Sequence, residues 1–474
     1  MTQPAHANPP RTLITDIQTL LPMTGSREQP GSAIQNAALL IEGGVIAWVG
    51  HAEAPPPEAE GAASIRLPGH LVLPGLVNTH HHLYQTLTRC LATDSGLFDW
   101  LKTLYPVWMR LTPEGAYLSA AVGLAELALS GCTTSSDHLY LYPNGVDLGD
   151  TIRAAADIGL RFHATRGSMS RGESQGGLPP DAAVEREAHI LKDSERLVRQ
   201  YHDASRHAMT RVALAPCSPF SVTADLMRES ATLARSLGVM LHTHLAETED
   251  EDAYCLATVG MRPLDYAESL GWVGKDVWFA HGVHFSPTDA RRLGQCDCGV
   301  AHCPSSNMRL GSGIAPIREL LSQGVRVGLG VDGSASNDGS HLLAEVRQAL
   351  LVSRLRRPQQ HLKAWEALWL ATRGGASVLN RDDIGQLAPG MSADLIGLDL
   401  NRLEYSGATH DPAAAVVLCA VRGVDFSMVN GRAVVQEGRL ITLDLPPLLE
   451  RHRAESRRMI RDEEGRPSSS FGRL

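Results

Sequence analysis

The sequence has little of what marks secreted, membrane-spanning or nucleic-acid-binding proteins. Eight cysteines in 474 residues are too few for a disulfide scaffold, so we expect reduced thiols and a cytoplasmic protein. No apolar run reaches the 18 residues of a membrane span, and the N-terminus lacks the pattern of a signal peptide. Lys and Arg number 43 against 52 Asp and Glu. The resulting formal charge of −9 argues against nucleic acid or a membrane surface as the partner.

What remains is an ordinary globular composition with many histidines. Hydrophobic residues make up 43% of the chain and charged residues 20%, which excludes disorder or a coiled coil for most of its length. The 20 histidines are a weak indication of metal chemistry, because most histidines in proteins have no special role.

Between residues 71 and 332, short apolar segments alternate with long amphipathic stretches. Apolar strands separated by helices are typical of a parallel sheet, and eight such strands predict an α/β fold, a (β/α)8 TIM-type barrel. The eight predicted strands are 71–80, 133–139, 160–166, 211–217, 239–246, 277–283, 299–304 and 326–332.

Strand-and-turn patterns lie on both sides of this region. Gly43-Gly44 and Asn430-Gly431 each separate two apolar runs, which indicates tight hairpins. Because chain ends usually lie close together, we expect the two flanks to form one small β-sandwich. The predicted domains are the N-terminal part of that sandwich (1–70), the barrel (71–380), the C-terminal part (381–445), and a terminal helix with a tail (446–474).

Several predicted strands end in residues that can bind a metal ion. Side chains at the carboxyl ends of barrel strands converge on one mouth, which would bring His80, His82, His244 and Asp332 together. His80 and His82 are two residues apart and share a face, whereas His81 points away. Three imidazoles and one carboxylate suit a single Zn²⁺, with Fe²⁺ and Mn²⁺ as alternatives. Zinc would lower the pKa of a bound water towards about 7.

The chain resembles the amidohydrolase superfamily, in its metal-dependent deaminase branch, over roughly residues 12–440. In the barrel the resemblance rests on PGLVNTHHH (74–82), HTHLAET (242–248), AHGVHF (280–285), HCPSSNMRLGSG (302–313) and GVDGSASND (330–338). In the flanks it rests on PGMSADLIGLDL (389–400) and VNGRAVVQEGRL (429–440).

The resemblance implies a role for each catalytic residue as well as the metal ligands already named. Glu247 corresponds to the acid that shuttles protons, and His281 to the residue that orients the attacked group and the water. Asp332 would both bind the metal and accept a proton from the water. The segment VALAPCSPF (212–220) lacks the lysine of dinuclear members, which implies one metal ion.

The substrate is indicated only by resemblance within the branch. The segments 81–108, 165–181 and 260–271 resemble members that act on 8-oxoguanine, which implies conversion of that purine and water to uric acid and ammonia. The alternatives are deamination of guanine, isocytosine or a pterin, and hydrolysis of a chloro- or aminotriazine at the same metal site. All of these substrates are small molecules. We expect the enzyme to be a homo-oligomer.

Three further residues are candidates for binding the ring of the substrate. Gln85 offers both a donor and an acceptor, Arg166 a guanidinium for a ring oxygen, and Trp108 an apolar face. The alternatives stay open: Gln85 and Trp108 would also suit packing of the first helix, and Arg166 a salt bridge.

Overall fold

The computed structural model describes residues 11–29, 31–419 and 422–461. The predicted tail beyond residue 461 lies outside this part of the chain. In chain order the strands are β1 (Arg11–Leu20), β2 (Ile34–Glu42), β3 (Val45–His51), β4 (Ala63–Arg66), β5 (His70–Pro74), β6 (Leu76–Asn78), β7 (Cys132–Leu139), β8 (Arg161–Ser168), β9 (Thr210–Pro216), β10 (Leu241–Leu245), β11 (Val277–His281), β12 (Gly299–His302), β13 (Arg326–Leu329), β14 (Leu395–Asp399), β15 (Phe426–Val429), β16 (Arg432–Gln436) and β17 (Arg439–Leu440).

Helices connect these strands and cover the outside of the molecule. They are α1 (Leu97–Trp108), α2 (Pro113–Leu129), α3 (Leu148–Ile158), α4 (Glu187–Tyr201), α5 (Ala224–Leu237), α6 (Glu249–Val259), α7 (Pro263–Ser269), α8 (Pro287–Gln295), α9 (Pro304–Arg309), α10 (Ile317–Ser322), α11 (Leu342–Arg356), α12 (Ala364–Trp369), α13 (Gly375–Val378), α14 (Pro412–Leu418) and α15 (Leu445–Ile460). None of these described helices is both long enough and apolar enough to cross a membrane.

Strands β6 to β13 close into a parallel barrel, which confirms the predicted fold class. Each of the eight predicted segments supplies one barrel strand. The first, 71–80, is shorter than predicted because it divides at Gly75: β5 pairs antiparallel with β14, and only β6 enters the barrel. A Cβ at Gly75 would lie 2.1 Å from the Thr133 side chain, so only glycine fits at this crossing between the two sheets.

The two ends of the chain join in one sheet of nine strands. Its order is β17-β16-β15-β14-β5-β1-β2-β3, with β4 beside β1. The predicted turns are present: Gly43 and Gly44 (φ +55° and +88°) connect β2 to β3, and Asn430 and Gly431 (φ +50° and +76°) connect β15 to β16. The flanks therefore form a single unit beside the barrel, as predicted.

A buried ion pair fastens this sheet to the barrel. Arg161, at the start of β8, donates to both carboxylate oxygens of Asp394, at 2.5 and 3.1 Å, and to the side-chain oxygen of Asn430 at 3.0 Å. Both charged side chains are almost fully buried. Because neither can reach water, each depends on the other for its electrostatic stabilisation.

The terminal helix α15 lies against the first elements of the barrel. It packs on α2 and on a 3₁₀ helix, Leu83–Thr88, which follows the three consecutive histidines. His452 Nε2 is 3.0 Å from the Thr86 hydroxyl, and the Ser456 hydroxyl donates to the carbonyl of Leu87 at 2.7 Å. The helix thus supports the segment that leads into the mouth of the barrel.

Candidate metal centre and active site

The imidazoles of His82 and His244 face each other at the mouth of the barrel. Each ring is held by its Nδ1–H, which donates to the carbonyl of His138 for His82 and of Cys217 for His244, both at 2.7 Å. Their two Nε2 atoms, which therefore carry lone pairs, lie 3.0 Å apart. Two facing lone pairs repel unless a cation lies between them, so this arrangement fits a metal ion.

His80 completes the set of three imidazoles through a relay. Its Nδ1–H donates to Nε2 of His242 at 2.8 Å, and His242 in turn donates from Nδ1 to the carbonyl of Trp278 at 2.9 Å. This chain of hydrogen bonds leaves a lone pair on His80 Nε2, which is buried and has no hydrogen-bond partner. His81 points away, as predicted, and lies 2.9 Å from the Ser340 hydroxyl.

Asp332 supplies the carboxylate. Its Oδ1 lies 3.3 Å from His80 Nε2 and 3.4 Å from His82 Nε2, and its Oδ2 accepts from the Ser306 hydroxyl at 2.6 Å. Burial alone would raise the pKa of Asp332, but the close approach of His80 and the nearby imidazoles His281 and His82 hold that pKa well below its usual range. The carboxylate is therefore charged, as a metal ligand must be.

Glu247 and His281 lie beside this donor set. Nε2 of His281 is 3.6 Å from Glu247 Oε2 and 3.8 Å from Asp332 Oδ2, and its Nδ1 donates to Oδ1 of Asn307 at 2.9 Å. Burial raises the pKa of Glu247 to about 7, and the charge of His281 opposes this only in part. A carboxyl group with this pKa can both donate and accept a proton at neutral pH.

A second buried carboxylate fixes the backbone of Glu247. Glu251, at the start of α6, accepts from the backbone N–H of Ala246 at 2.9 Å and of Glu247 at 3.0 Å. Ala246 has a left-handed backbone (φ +54°), as do His281 (+71°) and Asp332 (+62°). These left-handed residues lie at or within three residues of the ends of β10, β11 and β13, where the chain changes direction.

A cavity lies over these residues at the mouth of the barrel. Its polar walls include His82, Gln85, Tyr105, Tyr140, Cys217, His244, Glu247, His281, Asp332 and Ser336. Its apolar walls are Leu97, Trp100, Leu101, Phe220 and Leu310. The cavity therefore brings Gln85, as well as the predicted metal ligands His82, His244 and Asp332, to one space with Glu247 and His281.

The structure places neither Trp108 nor Arg166 in the wall of this cavity. Trp108 is fully buried behind the cavity within α1, where its indole N–H donates to the Thr88 hydroxyl at 3.0 Å. The guanidinium of Arg166 forms a bidentate salt bridge with Glu185 and donates a further hydrogen bond to Asp193. Trp108 therefore takes part in helix packing and Arg166 in a salt bridge, which are the alternatives that the sequence left open.

His138 is a functional candidate that sequence reasoning missed. Its Nε2–H donates to the carbonyl of Ala215 at 2.9 Å, and its Nδ1 is buried without a partner. One ring nitrogen of each of His80, His82, His138 and His244 lies within 4.8 Å of the others. Its position near the end of the second barrel strand is the one available signal, and a lone histidine in a buried strand usually belongs to the core.

Comparison with known proteins identifies the family. Residues 71–434 match the amidohydrolase family, which spans most of the chain. The chain belongs to the amidohydrolase family. The predicted resemblance is confirmed, and the chain is a hydrolytic enzyme with the barrel of that family.

Individual amidohydrolases are similar over most of their length. The chain is 53% identical to 8-oxoguanine deaminase of Pseudomonas aeruginosa over 395 residues, which cover 82% of this chain and 88% of the relative. It is 42% identical to hydroxydechloroatrazine ethylaminohydrolase of a Pseudomonas species, with 82% of each chain covered. The structure of atrazine chlorohydrolase from Arthrobacter aurescens complexed with zinc superposes with a TM-score of 0.88 at 32% identity, covering 94% of this chain and 100% of that one.

Proposed function

We propose that this amidohydrolase is a zinc-dependent deaminase that converts 8-oxoguanine and water to uric acid and ammonia. The proposal is carried by one observation: a buried carboxyl group, that of Glu247, lies beside His281 and a metal-binding set within one cavity. Hydrolytic deamination of a cyclic amidine needs those three parts together. The 53% identity to an 8-oxoguanine deaminase supports the choice of substrate.

The donor set fits one divalent cation. His80, His82, His244 and Asp332 would hold it, because each offers a lone pair or charge that the protein itself leaves unsatisfied. Zn²⁺ is our choice, with Fe²⁺ and Mn²⁺ as alternatives for the same ligands. When bound, zinc supplies a water whose pKa is lowered towards about 7. Strand β9 contains no lysine that would bridge a second ion.

The protein's own groups account for each proton. Asp332 accepts a proton from the attacking water, which His281 orients, while Glu247 protonates the ring nitrogen next to the amine-bearing carbon. Glu247 then takes the remaining hydroxyl proton of the tetrahedral adduct and passes it to the amine. The carbon–nitrogen bond breaks, ammonia leaves, and the oxygen from water becomes the new carbonyl oxygen. The proton held by Asp332 then passes to Glu247, which returns both carboxyl groups to their starting protonation states.

The first experiment is ammonia release by zinc-loaded protein from 8-oxoguanine, guanine, isocytosine, isoxanthopterin and a chlorotriazine. We expect 8-oxoguanine to be preferred, with urate and ammonia produced in equal amounts. Release of an alkylamine or chloride instead would favour the triazine alternative, which the 42% identity to an ethylaminohydrolase also supports. No turnover of any of the five would contradict the proposed substrate class.

Glu247→Gln tests the proposed mechanism. A glutamine keeps the shape of the side chain but cannot carry the proton, so we expect kcat to fall by about 10³-fold or more. Glu249→Gln, an exposed change two residues away, is the matched control and should leave kcat unchanged. Turnover of Glu247→Gln within a few-fold of the parent, at equal metal content, would contradict the assigned role.

A further inference from the structure

Tyr105 lines the active-site cavity. Its hydroxyl is buried and has no hydrogen-bond partner among the described residues. Tyr105 lies on α1 and its side chain is almost fully buried. No side chain or backbone group of the described residues accepts from or donates to its hydroxyl oxygen. A buried hydroxyl without a partner is costly to the folded protein, so its retention calls for an explanation.

The other polar groups of the cavity already have protein partners or a chemical role. Gln85 Oε1 accepts from the backbone N–H of Ala335 at 3.3 Å, and the Ser336 hydroxyl lies 3.2 Å from Asp332 Oδ2. Glu247 and His281 contact each other beside the metal-binding set. Among the described residues that line the cavity, Tyr105 is the one whose buried side-chain oxygen has neither a hydrogen-bond partner in the protein nor a role in the reaction.

Tyr105 is also placed on a different part of the wall from the reacting groups. The metal-binding residues, Glu247 and His281 lie at the ends of barrel strands, whereas Tyr105 shares α1 with Leu97, Trp100 and Leu101, which form an apolar wall. Burial raises the pKa of Tyr105 well above its usual value. The hydroxyl is therefore neutral and available as a donor across the working range of pH.

We propose that the Tyr105 hydroxyl donates a hydrogen bond to the oxo group on the five-membered ring of the substrate and so selects 8-oxoguanine over guanine. This inference rests on the proposed function. In a purine the amine-bearing carbon and the carbon of that oxo group lie at opposite ends of the ring system. A ring held with its amine-bearing carbon at the strand ends extends its other end to the remaining wall, where Tyr105 supplies an unpaired donor.

The test compares Tyr105→Phe with the parent on 8-oxoguanine and on guanine, which differ at that ring position. We expect kcat/KM for 8-oxoguanine to fall about 10- to 100-fold, because its oxo group loses a hydrogen-bond donor in the cavity. The value for guanine should change less than about threefold. A purely structural hydroxyl would affect both substrates equally, so the ratio of the two values is the readout.

Tyr405→Phe is the matched control. Tyr405 is likewise buried and its hydroxyl likewise has no partner, but it lies outside the cavity. Removing its hydroxyl should leave both kcat/KM values unchanged. We expect neither variant to lower Tm, since neither hydroxyl makes a hydrogen bond in the folded protein.

Product binding separates this inference from the proposed function. Urate carries the oxo group on the five-membered ring and xanthine lacks it, so calorimetry should show tighter binding of urate by the parent and loss of that preference in Tyr105→Phe. An unchanged preference in the variant, or no preference in the parent, would overturn the role of Tyr105 whatever the turnover results. If the parent binds urate in this way but deaminates no purine, the proposed function alone fails.

Discussion

His452 on the terminal helix should make the stability of the protein depend on pH. Burial, together with the positive charges of Arg89 and Arg453, lowers the pKa of His452 from 6.5 to about 4. In the unfolded chain the same imidazole titrates near 6.5. The folded state therefore has its full stability above pH 6.5 and loses it as the pH falls towards 4, because only the unfolded chain binds the proton in that window.

The size of the effect follows from the pKa difference. Each unit of pKa corresponds to about 1.4 kcal/mol, so a difference of roughly 2.5 units removes about 3 kcal/mol between pH 6.5 and 4. For a chain of this length we expect 1 kcal/mol to shift Tm by roughly 1 to 2 °C, by extension from smaller domains. The parent should thus lose about 3 to 6 °C that a variant without the imidazole does not lose.

The assay is a thermal-unfolding series from pH 7.5 to 4.5 on the parent and on His452→Gln. Glutamine can still hydrogen-bond the Thr86 hydroxyl, but it does not titrate. Other titrating groups act equally in both proteins, so the difference between the two Tm curves isolates His452. His410→Gln, a change of an exposed histidine, is the control and should follow the parent. Parallel curves for the parent and His452→Gln would refute the reasoning.

Three further predictions concern the site and the packing of the fold. Asn307→Ala removes the acceptor of the His281 Nδ1–H, so kcat should fall about 10- to 100-fold at unchanged metal content; an unaffected kcat would contradict this role. Removal of metal by a chelator should lower Tm, and zinc at 1,000 times its Kd should raise the free energy of unfolding again by about 4 kcal/mol. No recovery of Tm on adding zinc would contradict a metal centre. Arg161→Met leaves the Asp394 carboxylate buried and unpaired and should cost about 3–5 kcal/mol in denaturant unfolding, whereas the exposed change Arg206→Met should cost less than about 1 kcal/mol.

Much of the fold was predictable because barrel strands are buried on both faces and stand out as short apolar segments. All eight were found, but the first was predicted too long. Its two halves are equally apolar, and only the contact of Gly75 with Thr133, far apart in sequence, shows where the chain passes from the flanking sheet to the barrel. Side-chain hydrogen bonds between distant segments, such as that of Arg161 with Asp394, were likewise beyond prediction.

The site residues at the ends of strands were predictable from strand geometry. The site residues on helices were not. The convergence of strand ends is general to this barrel, so it brought together the metal ligands and Glu247. Helical periodicity shows which residues are buried, but it does not distinguish burial against a cavity from burial in the core. The cavity wall therefore includes Tyr105, which was overlooked, and not Trp108, three residues later, whose contact with the substrate stays a prediction.

The support that α15 gives to the 3₁₀ helix Leu83–Thr88 also affects how the enzyme matures. The helix that bears Gln85 is synthesised before its supporting helix. At 5–20 residues per second, the roughly 370 residues between them take on the order of 20 to 70 s to synthesise. A ribosome-bound chain thus carries an unsupported wall until α15 has been made, and the catalytic cavity is complete only after that point.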